Sequence, residues 1–158
     1  MRIIDGYNVI GAAGEFGLAL SQPDKEDRLL RLLSAFRGRR GSRRTMLVVF
    51  DGHYGRLAEG PRRFSRLGID VEWSIGESAD AVIVRRVASA KRAQQVEVVT
   101  SDQAVLRAIA SRGARGLRSQ DFLAEVGRVF VDEPAVEKPE SSSPDEVAEW
   151  LDRFGDGG

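Results

Sequence analysis

The chain has 158 residues, the length of one domain, and is 42% hydrophobic and 30% charged, so a buried core is expected and wholesale disorder is excluded. It has no cysteine and one histidine, His53, which removes disulfides, thiolate sites and His-rich zinc sites and leaves carboxylates to hold any hard cation. Net charge is zero, but residues 1–133 carry 22 basic and 17 acidic side chains and residues 134–158 carry 2 and 7, a basic body with an acidic tail that suits a polyanionic partner.

No apolar run approaches the ~18 residues of a membrane span, so no membrane partner is expected. The run Met1–Asp5 lacks a signal-peptide layout, which points to the cytoplasm. Arg2–Asp5 is the first predicted strand. Leu29, Leu32, Leu33 and Phe36 then recur at helical spacing behind a capping box of Ser21 and Asp24. Arg37 to Arg44 holds five arginines in eight residues. Two readings stay open for it: a solvated loop whose first arginines favour a helix C-terminus, or a phosphate contact through Arg39, Arg40, Arg43 and Arg44. Thr45–Phe50 is the second strand. Arg62, Arg63 and Arg66, on a loop or short helix, are further candidates for the same groove.

Ile69–Trp73 is the third strand, with Trp73 read as core. Residues 78–92 form a helix with Ala79, Val82, Ile83, Val87 and Ala90 on its apolar side. Val96–Thr100 is a strand, 103–112 a helix and Gly116–Arg118 a weak fifth strand. Residues 120–130 form a last helix with Ser119 as N-cap and Phe122, Leu123, Val126 and Phe130 as core. Continuously apolar strands alternating with helices predict a three-layer α/β domain with a central, mainly parallel sheet of about five strands. That domain is expected to span 1–133. An acidic, flexible linker follows over 134–143. An amphipathic helix over 144–154 then carries Val147, Trp150, Leu151 and Phe154, a stripe to be buried on its own domain, a second copy or a partner.

Open parallel sheets bind ligands at the carboxyl ends of their strands. Asp5 ends the first strand, Asp51 the second, and Asp102 follows the fourth. Asp121 comes just after the fifth, and Glu77 and Asp80 open the second long helix. Each acid alone reads equally well as a turn or cap residue. Gathered together they would repel, and a divalent cation or arginines would have to compensate them. Mg²⁺ suits oxygen ligands and keeps waters, so it can activate water and stabilise an in-line phosphoryl transition state.

The local signatures, in order, are Asp5-Gly6-Tyr7-Asn8, Phe50-Asp51-Gly52-His53, Glu77-Ser78-Ala79-Asp80 and Thr100-Ser101-Asp102. Over about residues 1–130 they resemble the NYN domain, in its YacP-like branch of the PIN-like nucleases. The resemblance implies a PIN-like fold and an acidic pocket for Mg²⁺ or Mn²⁺. It implies endoribonuclease activity that leaves a 5′-phosphate and a 3′-hydroxyl. The implied partner is RNA, messenger RNA above all, in association with the ribosome. It makes Asp5, Asp80 and Asp102 the catalytic metal ligands, with Asp121 as a further ligand. Asn8 would orient Asp5 or contact phosphate, Ser101 would line the pocket, and Tyr7 would stack on a base or pack at the sheet edge. The competing reading is an RNA-binding module or scaffold on the same fold without catalysis.

Overall fold

A computed structural model describes residues 1–52 and 62–131. His53, the 134–143 linker and the 144–154 helix lie outside the described residues. Strand β1 (Arg2–Asp5) leads into a short helix α1 (Gly6–Ala12) and then α2 (Lys25–Arg40). β2 (Met46–Phe50), β3 (Arg63–Arg66) and β4 (Ile69–Trp73) precede α3 (Ala79–Ser89). β5 (Glu97–Val99), α4 (Gln103–Ala110), β6 (Arg115–Leu117) and α5 (Ser119–Val131) complete the order.

The six strands form one sheet in the order β3-β4-β2-β1-β5-β6. All neighbours pair in parallel except β3 with β4. Helices α1, α2 and α5 contact one another over one face, and α3 and α4 pack together over the other. The strands divide their side chains accordingly. Ile4, Met46, Val48, Phe50 and Val99 face the first helical layer, while Ile3, Leu47, Val49 and Val98 face the second. Burial on both faces is why these strands are continuously apolar.

The sheet thus has the predicted α/β, three-layer form with one strand more than expected. Arg63–Arg66 has no apolar alternation because it is an exposed antiparallel edge, where charge blunts unwanted pairing. Helix α1 was hidden inside the Asp5-Gly6-Tyr7-Asn8 signature. The Ser21–Asp24 capping box does not form: α2 begins at Lys25, and the Asp24 carboxylate instead pairs with Arg28 at 3.0 Å. Among the described residues no helix is long and apolar enough to cross a membrane.

Gly6 starts α1 hard against β2. A Cβ there would run into the ring of Phe50 and stand 3.1 Å from Val48. Phe50 is fully buried and ringed by Tyr7 and Trp73 at 5.2 and 5.1 Å, so its ring has nowhere to go. Gly6→Ala is therefore expected to destabilise the fold by about 2 kcal/mol through overpacking, read as a lower urea midpoint at unchanged m-value. An unshifted midpoint would show that the helix can slide off the ring.

Candidate active site

Strand order reverses at β1, which has β2 on one side and β5 on the other. The carboxyl ends of these three strands carry Asp5, Asp51 and the Thr100-Ser101-Asp102 run, and α3 brings Asp80 to them in its first turn. Ser78 begins α3, its hydroxyl accepting from the Ala81 N–H at 3.1 Å, so the helix starts where Asp80 can face the strand ends.

Asp5 is buried, at 8% exposure. Its Oδ2 accepts a 2.9 Å hydrogen bond from the Thr100 hydroxyl, itself fully buried. Burial pushes the Asp5 carboxyl up to about 6; the Thr100 hydroxyl and the Asn8 backbone N–H pull the other way, and the charges of Asp80 and Asp102 add to the rise. Asp80 is also raised, first by burial, then by the charge of Asp102, the hydrogen bond between the two carboxyls, and the charge of Asp51. Asp102 Oδ1 accepts from the backbone N–H of Ala104 and Val105 at 2.9 and 3.2 Å, capping α4. Its cap role and its place beside Asp80 coexist. The two readings of that residue are therefore not alternatives.

Asp5, Asp80 and Asp102 thus act on one another through space, with Asp51 acting on Asp80, and no ion pair joins Asp5, Asp80 or Asp102 to a described arginine. Glu77 departs from the group, paired instead with Arg85. Asp121 lies exposed on the first turn of α5 and is not among the charges acting on Asp5 or Asp80.

Asn8 and Ser101 form a polar clip behind the acids. Asn8 Oδ1 accepts from the Ser101 backbone N–H at 2.9 Å and from the Ser119 hydroxyl at 2.6 Å. The Ser101 hydroxyl donates to Gln120 Oε1 at 2.7 Å and accepts from the Ser119 backbone N–H at 3.2 Å. Ser119 therefore does not cap α5 with its hydroxyl, as had been expected. Gln120 was not singled out from the sequence, Ser119 was read only as a helix cap, and Thr100 entered only as part of the Thr100-Ser101-Asp102 run, because neutral hydroxyl and amide residues carry no charge pattern to flag them.

Tyr7 packs at the sheet edge against Phe50 and Trp73, with Lys25 over its ring at 5.8 Å. Its hydroxyl donates to Glu26 at 2.8 Å; burial and that neighbour hold its pKa well above the ordinary phenol value. Trp73, expected as core, is half-buried in this ring cluster.

The arginines from Arg37 to Arg44 are not brought to the acids. Helix α2 runs back toward the amino ends of the strands, where Thr45 accepts from the Arg2 N–H. There Arg40 pairs with Glu125 at 2.9 Å, Arg39 lies over Phe130, and Arg44 approaches Glu97 at 3.9 Å. Arg43 belongs to the same turn. The four sit a strand's length, roughly 13 Å, from the carboxyl ends.

Among the described residues no three acidic or histidine side chains stand close enough to form a ready-made ligand set. The donor chemistry nonetheless fits a hard divalent cation. Asp80 and Asp102 meet at hydrogen-bonding distance, which two carboxylates tolerate only with a proton or a cation between them. Mg²⁺ commonly takes one or two carboxylates and completes its shell with water and phosphate.

A sequence profile of the YacP-like NYN domain matches residues 2–153, further along the chain than the resemblance read over about residues 1–130. A crystal structure of Rae1 (YacP) from Bacillus subtilis is similar at 27% identity and a TM-score of 0.66, over 82% of this chain and 75% of that one. A tryptophan-to-leucine variant of it is similar at 24% identity and a TM-score of 0.58, over 82% and 76%. Comparison with curated proteins finds no match.

Proposed function

The chain belongs to the YacP-like NYN domain family, PIN-like in fold and nuclease-type in function, and from that premise we propose that it is a metal-dependent endoribonuclease. The observation that carries the reading is the meeting of Asp80 and Asp102 beside buried Asp5, with no described arginine to neutralise them. A bound Mg²⁺ or Mn²⁺ supplies charge neutralisation at the phosphate and a more acidic water.

The protein's own groups do the placing. Asp80 and Asp102 offer oxygen ligands from two different helix starts. Asp5, fixed by Thr100, supplies a third carboxylate, ionised above about pH 6 in the cation-free protein. Asn8, held by Ser101 and Ser119, sets the spacing between β1, β5 and α5. Messenger RNA, met in association with the ribosome, is the substrate the family resemblance favours.

Single-stranded RNA incubated with the protein is expected to be cut internally with Mg²⁺ or Mn²⁺ and left whole with excess chelator. A rate unaffected by chelation sinks the metal reading. The lack of a tight three-acid group favours one alternative, an RNA-binding module without catalysis. Binding without cutting, with either cation, would select it.

A further inference from the structure

Glu72, next to last in β4, is completely buried. Four guanidinium groups converge on it. Arg86 Nε donates to Oε1 at 3.0 Å, and its Nη2 makes a second bond to the same oxygen. Arg63 Nε lies 3.4 Å from Oε1, while Arg62 Nη2 and Arg85 Nη2 each lie 3.9 Å from Oε2. Oε2 itself has no hydrogen-bond partner. Arg85 is also bonded to Glu77, so four positive charges face two negative ones.

One well-placed guanidinium is enough to satisfy a buried carboxylate, and Arg86 meets that need. The other three add mutual repulsion without adding a hydrogen bond to Glu72. Their side chains are also open to solvent, Arg63 at 60%, Arg85 at 46% and Arg62 at 37%. Surplus, exposed and focused on one spot, they are built to receive an anion.

The cluster adjoins the acids. Arg62 Nε donates to the Trp73 carbonyl at 3.2 Å, and Trp73 pairs in register with Phe50, the residue before Asp51. Arg85 and Arg86 follow Asp80 on α3 by five and six residues, about 8 Å of helix.

We propose that Arg62, Arg63 and Arg85, organised around Glu72 with Arg86, seat backbone phosphates of the single-stranded RNA that enters the acidic pocket. This rests on the ribonuclease reading and locates the substrate path on the α3 side of the sheet. It replaces the arginines from Arg37 to Arg44 as the phosphate-binding element. The anion chemistry is shared by RNA, DNA and free phosphate.

The test is binding of a fluorescent single-stranded RNA, its DNA counterpart and competing inorganic phosphate, from about 50 to 200 mM salt, in an Asp80→Asn background that does not cut. Substituting Arg62, Arg63 and Arg85 together by Gln is expected to weaken RNA binding at least ~10-fold. The slope of log affinity against log salt should fall by about 2, at ~0.7 per phosphate on a single strand. Arg63→Gln alone, at the most exposed site, should take about 0.7 from the slope without lowering the melting temperature. Arg43→Gln with Arg44→Gln removes charge at the far end and should change neither quantity. Unchanged affinity and slope in Arg63→Gln, or an equal loss in the far-end variant, overturns the seat. So does inorganic phosphate displacing RNA as readily as RNA displaces itself, which would make the cluster a general anion site; single-stranded DNA, with the same backbone phosphates, is expected to compete. Cleavage by the wild-type protein is scored separately. Cutting with an unaltered salt slope rejects the seat and keeps the nuclease, whereas a lowered slope without cutting does the reverse.

Discussion

Asp80→Asn is expected to lower the rate of RNA cleavage about 10³-fold or more while leaving RNA affinity and folding intact. The reason lies in what the substitution keeps. Asp80 and Asp102 meet carboxyl to carboxyl at hydrogen-bonding distance. An asparagine amide can donate an N–H to Asp102, so Asp102 keeps a partner and α3 keeps its start. What is lost is one unit of negative charge at the proposed cation site. The measurement is single-turnover cleavage with Mn²⁺, alongside binding and thermal melting. Activity within 10-fold of the parent would place the chemistry elsewhere.

Asp5→Asn should instead make the cation-free protein more stable, and only on one side of a pH boundary. Folded Asp5 takes up its proton near pH 6, against 3.8 for an ordinary aspartate. Between those values the folded chain binds more protons than the unfolded one, so wild-type stability falls as pH rises from about 4 to about 6 and stays low above it. A shift of about two units corresponds to ~2–3 kcal/mol. Asparagine does not titrate and can still accept from Thr100. The variant should gain ~2 kcal/mol over wild type at pH 7.5 in chelator and almost nothing at pH 4. Urea titrations at both pH values read the difference, and parallel profiles would show that burial does not burden the ionised carboxylate.

Sequence pattern made the interior strands legible. Ile3-Ile4, Leu47-Val48-Val49 and Val98-Val99 are apolar on both sides because both faces are covered. It did not reveal Arg63–Arg66, since an edge strand needs only its backbone to pair. The approach of Asp5 and Asp102 was readable from strand ends, because topology alone brings those ends together, while Asp80 comes to them on the first turn of α3. Counter-charges were not readable in this way. Glu77 reads as equivalent to Asp80 in the sequence, yet Arg85 pairs with it, and Arg39 and Arg40, read as solvated or as phosphate contacts, lie over Phe130 and against Glu125. One signal was available and passed over. A glutamate flanked by valine and tryptophan in a strand, as at Glu72, has to be met by a cation once buried, and Arg85 and Arg86 stand two turns into the next helix.

The clip between Asn8 and Ser119 joins residues 111 positions apart, and the bond from Thr100 to Asp5 joins residues 95 apart. A chain being made from its first residue therefore carries Asp5 long before it owns the parts that hold the pocket in shape. Until α5 has left the synthesis machinery and docked, Asn8 lacks its Ser119 partner and Ser101 its Gln120 partner.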